Sequence, residues 1–184
     1  MQTTRILPVP EPLQQPLAGH MTKLLPPGMP APQLFLSVAR NAGLFCFLVD
    51  SGLIGPTGLL DRRVLPRDLR ETVILRTCVA TGNNYEFNLH VQTISARMGL
   101  SQAQIDDVRA AQPSQKLWSP SLFAAMALVD TLVRLAPVSD ETYTLARAQF
   151  SEEMLIEITQ LAGMYVGVAM LVALIRPQFD SYPA

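Results

Sequence analysis

Apolar residues recur every three or four positions over most of the chain beyond residue 33, which is the spacing of one face of an α-helix. The segment from Ser121 to Leu135 shows this spacing most clearly, and Pro137 ends it. No stretch alternates apolar and polar residues as a strand does, and no hairpin turn signal is present. The pattern predicts an all-α protein.

A glycine turn separates the two predicted helices that carry most of the reactive side chains. Pro66 suits the first turn of the earlier helix, and Gly82 stops it. Asn83 can cap the later helix, residues 84–98, which Gly99 closes. The short turn predicts that the two helices pack as an antiparallel pair.

Prolines and capping residues mark the other predicted helices. These begin at Pro32, at Leu44, at Ser101, near Thr142 and at Ser151, and the last of them runs to Ile175. The helix from Leu44 ends near Leu53, at a cluster of glycines with Pro56, and residues 59–65 are predicted to form a loop.

The N-terminal segment is rich in proline: eight of the fifteen prolines lie in residues 1–32. Proline lacks an amide donor and fixes φ, so this segment is predicted to be an extended arm rather than a helix, either disordered or wrapped around a neighbouring subunit. The chain is therefore divided into this arm and one helical domain, residues 33–184. His20 lies in the arm and is given no role.

Composition narrows the class of protein. Hydrophobic residues make up 49% of the chain and charged residues only 16%, so we expect a sizeable core and apolar surface covered by other subunits of a homo-oligomer. The net charge is −1 without a basic run, which argues against nucleic acid as a partner. The two cysteines are too few for a disulfide framework, and the start shows no signal-peptide core, so a cytoplasmic location is expected.

The uncharged run from Ile158 to Ile175 has the length of a short membrane span and contains a Gly-x-x-x-Gly pattern. Thr159 and Gln160 lie inside the run, and the other helices are amphipathic. We therefore expect a buried or subunit-interface helix and no association with a membrane.

Candidate chemistry concentrates on the two helices that flank the glycine turn. Glu86 and His90 are four residues apart and share a helix face, and Arg97 returns to the same stripe. Glu71 lies on the earlier helix, so an antiparallel pair would bring Glu71, Glu86 and His90 to one cavity. A carboxylate beside an imidazole fixes its tautomer and raises its basicity, and such a pair can transfer a proton near neutral pH.

Structural roles are open for the same residues. Asn83 and Glu86 have the spacing of a capping box, and Glu86 with His90 can be an ordinary surface pair. Glu71 can be a solvated residue that pairs with Arg67 or Arg70.

Other polar residues also have structural explanations. Arg97 can compensate the dipole at a helix end, and Cys46 and Cys78 can be packed thiols. No metal site is predicted, because a carboxylate-bridged di-iron centre needs two Glu-x-x-His pairs and the chain has one Glu-x-x-x-His.

The segment RDLRETVILRTCVATGNNYEFNLHVQTISARMGLSQAQI resembles the carboxymuconolactone decarboxylase and alkylhydroperoxidase D (AhpD) superfamily. The resemblance rests on the R-E-x-x-I-L-R helix around Glu71, the turn at Gly82, the Y-E-F-x-x-H motif ending at His90, and the A-x-M-G-L-S that follows. It implies an AhpD-like helical bundle that assembles as a trimer or hexamer, with a site for a small molecule near the subunit contacts.

The peroxidase branch of this superfamily uses Cys-x-x-Cys-x-x-x-His with a glutamate one helix earlier. His90 and Glu71 match that histidine and glutamate, but Asn83 and Glu86 occupy the two cysteine positions. Without a resolving dithiol no thiol–disulfide cycle is expected. The superfamily includes peroxidases and peroxiredoxin-like proteins, but that activity is doubtful for this chain.

The decarboxylase branch has glutamate four residues before the histidine and needs no metal or organic cofactor. The resemblance implies a lyase in which protonated His90 delivers a proton while Glu86 holds it, with Glu71 in support. Arg97 or Arg76 would bind a substrate carboxylate.

Tyr85, the first residue of the Y-E-F-x-x-H motif, and Asn83, two residues before it, are also predicted to bind the substrate. The predicted function is acid/base chemistry, either decarboxylation or proton transfer, on a small carboxylated or lactone substrate. The alternatives are an alkylhydroperoxidase-like oxidoreductase and a non-catalytic oligomeric binding protein.

Overall fold

The computed structural model describes residues 3–55, 58 and 62–182, and every regular element in these ranges is a helix. The all-α class is therefore confirmed. The chain groups into two compact units: an N-terminal unit, residues 1–62 with 171–180, and a site unit, residues 63–170 with 181–184. Pro56 and residues 59–61 of the predicted loop lie outside the described residues.

Apart from α1, the helices follow the order predicted from the sequence. They are α1 (Leu17–Leu24), α2 (Gln33–Val38), α3 (Ala42–Asp50), α4 (Arg67–Ala80), α5 (Asn84–Thr93), α6 (Gln102–Asp107), α7 (Pro120–Leu132), α8 (Asp140–Arg147) and α9 (Glu152–Ile175). Two 3₁₀ turns, Ser95–Met98 and Gln115–Leu117, follow α5 and α6.

Helix α1 corrects the prediction that the whole proline-rich segment is extended. Its eight residues contain no proline, and Pro16 stands at its N-cap, where a missing amide donor costs no helical hydrogen bond. Met21 of α1 is buried in a small core with Leu36 and Phe45. The prediction followed the number of prolines and overlooked the proline-free interval between Pro16 and Pro26.

His20 fastens α1 to α3. Its Nδ1 lies 2.8 Å from the carbonyl oxygen of Pro16, and its Nε2 lies 3.0 Å from a carboxylate oxygen of Asp50. Lys23 reaches the other oxygen of Asp50 at 3.0 Å. The hydrogen bond to Asp50, and then that to Pro16, raise the pKa of His20. The structure thus gives His20 a structural role.

Helix α4 is the central element of the site unit, because ten consecutive residues from Leu69 to Cys78 are buried. Helices α5 and α7 both pack against it. Gly82, with a φ of +67°, makes the tight turn into α5, since a left-handed backbone suits glycine best. The Oδ1 of Asn83 then accepts the backbone N–H of Glu86 at 3.2 Å and caps α5.

The predicted helix over residues 84–98 is divided in the structure. Helix α5 ends at Thr93, and Ile94, with φ −129° and ψ −44°, leads into the 3₁₀ turn Ser95–Met98. Gly99 closes that turn with a φ of +99°. The break changes the direction of the chain after His90 and turns the hydroxyl of Ser95 back toward α4.

Helix α9 is the one described helix that is long and apolar enough to cross a membrane, and 28% of its most apolar stretch is buried. A single helix of this kind is weak support for a membrane span. Within the site unit, its inner face buries Ile158, Leu161 and Tyr165, whereas Ile156 on another face is exposed. A subunit contact on that exposed face remains a prediction.

Candidate active site

His90 lies at the centre of a buried polar cluster and is only 4% exposed. Its Nδ1 is 3.0 Å and 3.2 Å from the two carboxylate oxygens of Glu71. Its Nε2 is 3.1 Å from the hydroxyl of Tyr165 and 3.6 Å from Oε1 of Glu86. The structure thus brings together Glu71, Glu86 and His90, as helical spacing predicts, and adds Tyr165.

Three helices and one turn position these side chains. Glu71 points from α4, while Glu86 and His90 lie one turn apart on α5. Tyr165 comes from α9, and Ser95 comes from the 3₁₀ turn after α5. Each group is therefore positioned by an element of the site unit.

Glu71 is fully buried, so its charge must be compensated inside the protein. It accepts a hydrogen bond from Ser95 Oγ at 2.7 Å and faces His90 Nδ1. Burial alone would raise the pKa of Glu71, but the charge and hydrogen bond of His90, with the bond from Ser95, lower it overall. Glu71 is therefore an ionised carboxylate.

His90 is held as a cation by the same contacts. Burial alone would lower its pKa, but the charge and hydrogen bond of Glu71, followed by those of Glu86, outweigh burial and raise the pKa to about 10. Both ring nitrogens then carry protons at neutral pH. Nδ1–H donates to Glu71, and Nε2–H faces the oxygens of Tyr165 and Glu86. The imidazolium can act as a proton donor.

Glu71, and not Glu86, makes the closer contact with His90. The sequence reading gave Glu86 the holding role, but its Oε1 is 3.6 Å from Nε2, whereas Glu71 is 3.0 Å from Nδ1. The reason is geometric: Glu71 approaches the ring edge-on from a facing helix, while Glu86 reaches it along its own helix. Only half of the anticipated capping box forms, since Asn83 caps α5 and the Glu86 side chain turns toward His90.

Tyr165 and Ser95 are the site residues that the sequence reading missed. Tyr165 is the one aromatic residue in the apolar run of α9, and a buried tyrosine hydroxyl normally needs a hydrogen-bond partner. That requirement was the available signal. Burial, and then the charges of Glu86 and Glu71, raise the pKa of Tyr165 well above its usual value, so it is a neutral phenol.

The placement of Arg76 does not support the predicted role in binding a substrate carboxylate. Its guanidinium forms a two-pronged pair with Asp130 of α7 at 2.7 Å and 2.6 Å. It also donates to the carbonyl oxygens of Val108 and Ala110, each at 2.7 Å. These four bonds commit the side chain to packing α4 against its neighbours.

The remaining predicted binding residues have different positions. Arg97 is exposed on the 3₁₀ turn, outside the buried cluster. Tyr85 is buried in the first turn of α5. Asn83 is buried at the N-terminus of α5, three residues before Glu86.

Cys78 is buried beside the cluster, and its chemistry is that of a protonated thiol. Burial, followed by the charges of Glu86 and Glu71, raises its pKa well above the ordinary value. A thiol rather than a thiolate is a poor nucleophile. Among the residues described, no group of three or more His, Cys, Asp and Glu side chains is arranged to hold a metal ion.

Cys78 is accordingly expected to resist thiol reagents in the native protein. In a Cys46→Ser variant, a disulfide reagent such as Ellman's should label no thiol at mildly alkaline pH until denaturant is added, and then one. Cys46 is partly exposed, so the Cys78→Ser variant serves as the reactive comparison. Rapid labelling of folded Cys46→Ser protein would contradict the description of Cys78 as an unreactive thiol and would support a thiol-based reaction.

Comparison with known proteins agrees with the resemblance seen in the sequence. Residues 57–131 match the profile of the carboxymuconolactone decarboxylase family. The matched segment contains Glu71, Glu86 and His90, whereas Tyr165 lies beyond it. No curated protein matches the sequence.

Solved structures share the fold. A cysteine-to-alanine variant of the debrominase Bmp8 in complex with 2,3,4-tribromopyrrole superimposes with a TM-score of 0.72 at 18% identity, covering 97% of this chain and 93% of that chain. The debrominase without ligand gives 0.68 at 19% identity, with 97% and 94% coverage. A protein of unknown function from Agrobacterium tumefaciens, described as an AhpD antioxidant defence candidate, gives 0.58 at 21% identity, with 79% and 92% coverage. The AhpD-like helical fold is thereby confirmed.

Proposed function

We propose that the chain is an enzyme that transfers protons at carbon next to a carbonyl group, with His90 as the proton donor. The observation that carries the proposal is the buried His90 ring held between two carboxylates, with Glu71 at 3.0 Å and Glu86 at 3.6 Å. A cation fixed in a dry site stabilises negative charge as it develops on a substrate. The membership of the 57–131 segment in a decarboxylase family supports the same class of chemistry.

Glu86 and His90 together can accept one proton, donate another and return to their starting protonation states. Glu86 removes a proton from the substrate carbon and becomes a carboxylic acid, and the electron pair moves onto the carbonyl oxygen as an enolate. His90 then gives its Nε2 proton to the enolate at a different carbon and becomes neutral. Transfer of the proton from Glu86 to Nε2, across 3.6 Å, restores both groups.

Decarboxylation uses the second half of the same cycle. Loss of CO₂ from an unsaturated lactone acid leaves its electron pair delocalised into the lactone carbonyl. His90 protonates that carbanion and regains its proton from water. In both reactions Glu71 stays ionised and keeps the imidazole oriented through Nδ1, and the Tyr165 hydroxyl lies beside the nitrogen that gives up its proton.

The His90→Ala variant tests the proposal. The substrates are α-angelica lactone in D₂O, whose double-bond migration and deuterium uptake are followed by proton NMR, and an unsaturated γ-lactone with a ring carboxylate, followed by CO₂ release. Because general acid catalysis contributes about 10²- to 10⁴-fold, the variant should lose at least ~100-fold in turnover.

Two controls keep the result interpretable. Circular dichroism and gel filtration establish that the variant folds and assembles as the wild type does, and added imidazole should restore part of the activity. A folded variant that retains full turnover would overturn the role of His90. Wild-type protein that acts on neither substrate and exchanges no carbon-bound proton would contradict the proposed class of reaction.

A further inference from the structure

Two buried polar atoms at the start of α5 have no hydrogen-bond partner in the described part of the chain. They are the amide nitrogen Nδ2 of Asn83 and the carboxylate oxygen Oε2 of Glu86. The two side chains are only 3% and 7% exposed. Buried donors and acceptors are nearly always paired in native proteins, so an unpaired donor and acceptor on neighbouring side chains point to a bound molecule.

The orientation of the Asn83 amide is fixed by its capping bond. Its Oδ1 accepts the backbone N–H of Glu86 at 3.2 Å. Rotating the amide by half a turn would place an NH₂ group against that N–H and lose the cap. Nδ2 therefore has to point away from the helix backbone, and it presents a donor.

Glu86 presents an acceptor on the same side of the site. One oxygen faces His90 at 3.6 Å, and the other is the unpaired Oε2. Asn83 is the N-cap of α5 and its side chain caps the backbone N–H of Glu86, so the two residues are direct neighbours at the start of the helix. His90 follows Glu86 by one helical turn and lies 3.6 Å from its other oxygen, so the acceptor of the pair is next to the proposed acid.

We propose that this pair is the substrate-binding contact of the site, and that its ligand is an uncharged molecule with an N–H or O–H donor beside a carbonyl acceptor. The inference rests on the proposed function of His90 and specifies the substrate class. The carbonyl accepts from Asn83 Nδ2, and the adjacent N–H or O–H donates to Glu86 Oε2.

A simple carboxylate fits this pair poorly. It has only acceptors, so it can satisfy Asn83 but not the oxygen of Glu86, whose negative charge repels it. The two arginines anticipated as carboxylate anchors are elsewhere: Arg76 is bound to Asp130, and Arg97 is exposed. The site therefore favours the neutral branch of the proposed chemistry, proton transfer, over decarboxylation of a carboxylate.

Binding of four small probes to the wild-type protein tests the inference. 2-Pyrrolidinone carries N–H and C=O side by side, N-methyl-2-pyrrolidinone lacks the donor, γ-butyrolactone replaces it with an ether oxygen, and tetrahydrofuran-2-carboxylate is an anion of similar size. Affinities are measured by chemical-shift titration. We expect 2-pyrrolidinone to bind at least ~10-fold more tightly than each of the other three, the difference made by one lost hydrogen bond.

Matched variants assign the contacts. Asn83→Asp retains an acceptor for the cap and removes the donor, and Glu86→Leu removes the acceptor at similar volume. Each variant should bind 2-pyrrolidinone at least ~10-fold more weakly than the wild type does. Glu86→Leu should also abolish the preference for 2-pyrrolidinone over the N-methyl compound. Glu141→Gln, on the exposed start of α8, should bind all four probes as the wild type does.

Several results would overturn the inference. These are equal binding of 2-pyrrolidinone and γ-butyrolactone, tightest binding of the anion, or binding of no probe, which would mean that water alone satisfies the pair. Because the readout is binding, selective capture of 2-pyrrolidinone without proton-transfer activity would refute the proposed function and leave the binding contact intact. Turnover that depends on His90, without preferential binding of 2-pyrrolidinone, would support the proposed function and refute the binding contact.

Discussion

Replacing Glu71 with glutamine is expected to destabilise the protein by about 3–5 kcal/mol near neutral pH, the cost of breaking a buried ion pair by removing one partner. Glu71 is fully buried and 3.0 Å from His90, so the variant leaves an imidazolium without its main counter-charge. Glutamine has nearly the same shape and can still accept from Ser95, so the loss reports on charge and not on packing.

The pH dependence of this loss has a defined sign. In the wild type the pKa of His90 is raised from 6.5 to about 10, so its stabilising contribution is complete below 6.5 and is lost as pH rises toward 10. Wild-type stability should therefore fall over that interval, and the fall should be much smaller in Glu71→Gln. Urea unfolding at several pH values measures both effects.

The exposed residue Glu141 provides the matched control for this measurement. Glu141→Gln makes the same chemical change on the surface of α8 and should shift the free energy of unfolding by less than ~0.5 kcal/mol at every pH. A Glu71→Gln variant as stable as this control, with an unchanged pH profile, would show that the Glu71–His90 contact carries no charge.

Replacing Arg76 with methionine should cost a similar amount, about 3–5 kcal/mol, but through the packing of α4 and not through the site. The change removes four hydrogen bonds and leaves the carboxylate of Asp130 and the carbonyl oxygens of Val108 and Ala110 without this donor. The midpoint of thermal or urea unfolding measures the loss.

Companion variants separate charge from geometry at Arg76. Arg76→Lys keeps the charge but cannot bind both carboxylate oxygens in a fork, so most of the loss should persist. Arg97→Met, at an exposed arginine, should change stability by less than ~0.5 kcal/mol. If Arg76→Met were as stable as wild type yet weakened binding of carboxylates, the original assignment of Arg76 to the substrate would be restored.

The hypothesis that Glu71, Glu86 and His90 lie together could be drawn from the sequence, because their approach depends on local rules. Helical periodicity puts Glu86 and His90 on one face, and a short glycine turn folds that face back onto the helix that carries Glu71. Which carboxylate holds the imidazole was not decidable from spacing. That depends on the distance and rotation between two packed helices, which the spacing of residues within one helix does not give.

Long-range contacts account for what the sequence did not reveal. Tyr165 meets His90 across 75 positions, and Arg76 meets Asp130 across 54. Periodicity shows which residues share a face of one helix, but it does not show which face of a second helix lies opposite. This difficulty is greatest for α9, because its uniformly apolar sequence does not indicate which face is directed inward.

The prediction that the proline-rich segment is entirely extended was wrong for a different reason. Proline acts on the residues next to it, so a high local count does not prevent a helix of eight residues in the proline-free interval between Pro16 and Pro26. The burial of Met21 from that interval supplied the stabilisation that composition did not reveal.

The central claim is that His90 is a buried cation at neutral pH. Nitrogen NMR of ¹⁵N-histidine-labelled wild-type protein between about pH 5 and about pH 9 tests it most directly, since the ring nitrogen shifts report protonation of each site. His20, identified by its loss in a His20→Gln variant, provides the internal reference. We predict that both ring nitrogens of His90 remain protonated across this range. A His90 that loses a proton with a midpoint near its ordinary pKa of 6.5 would contradict the account.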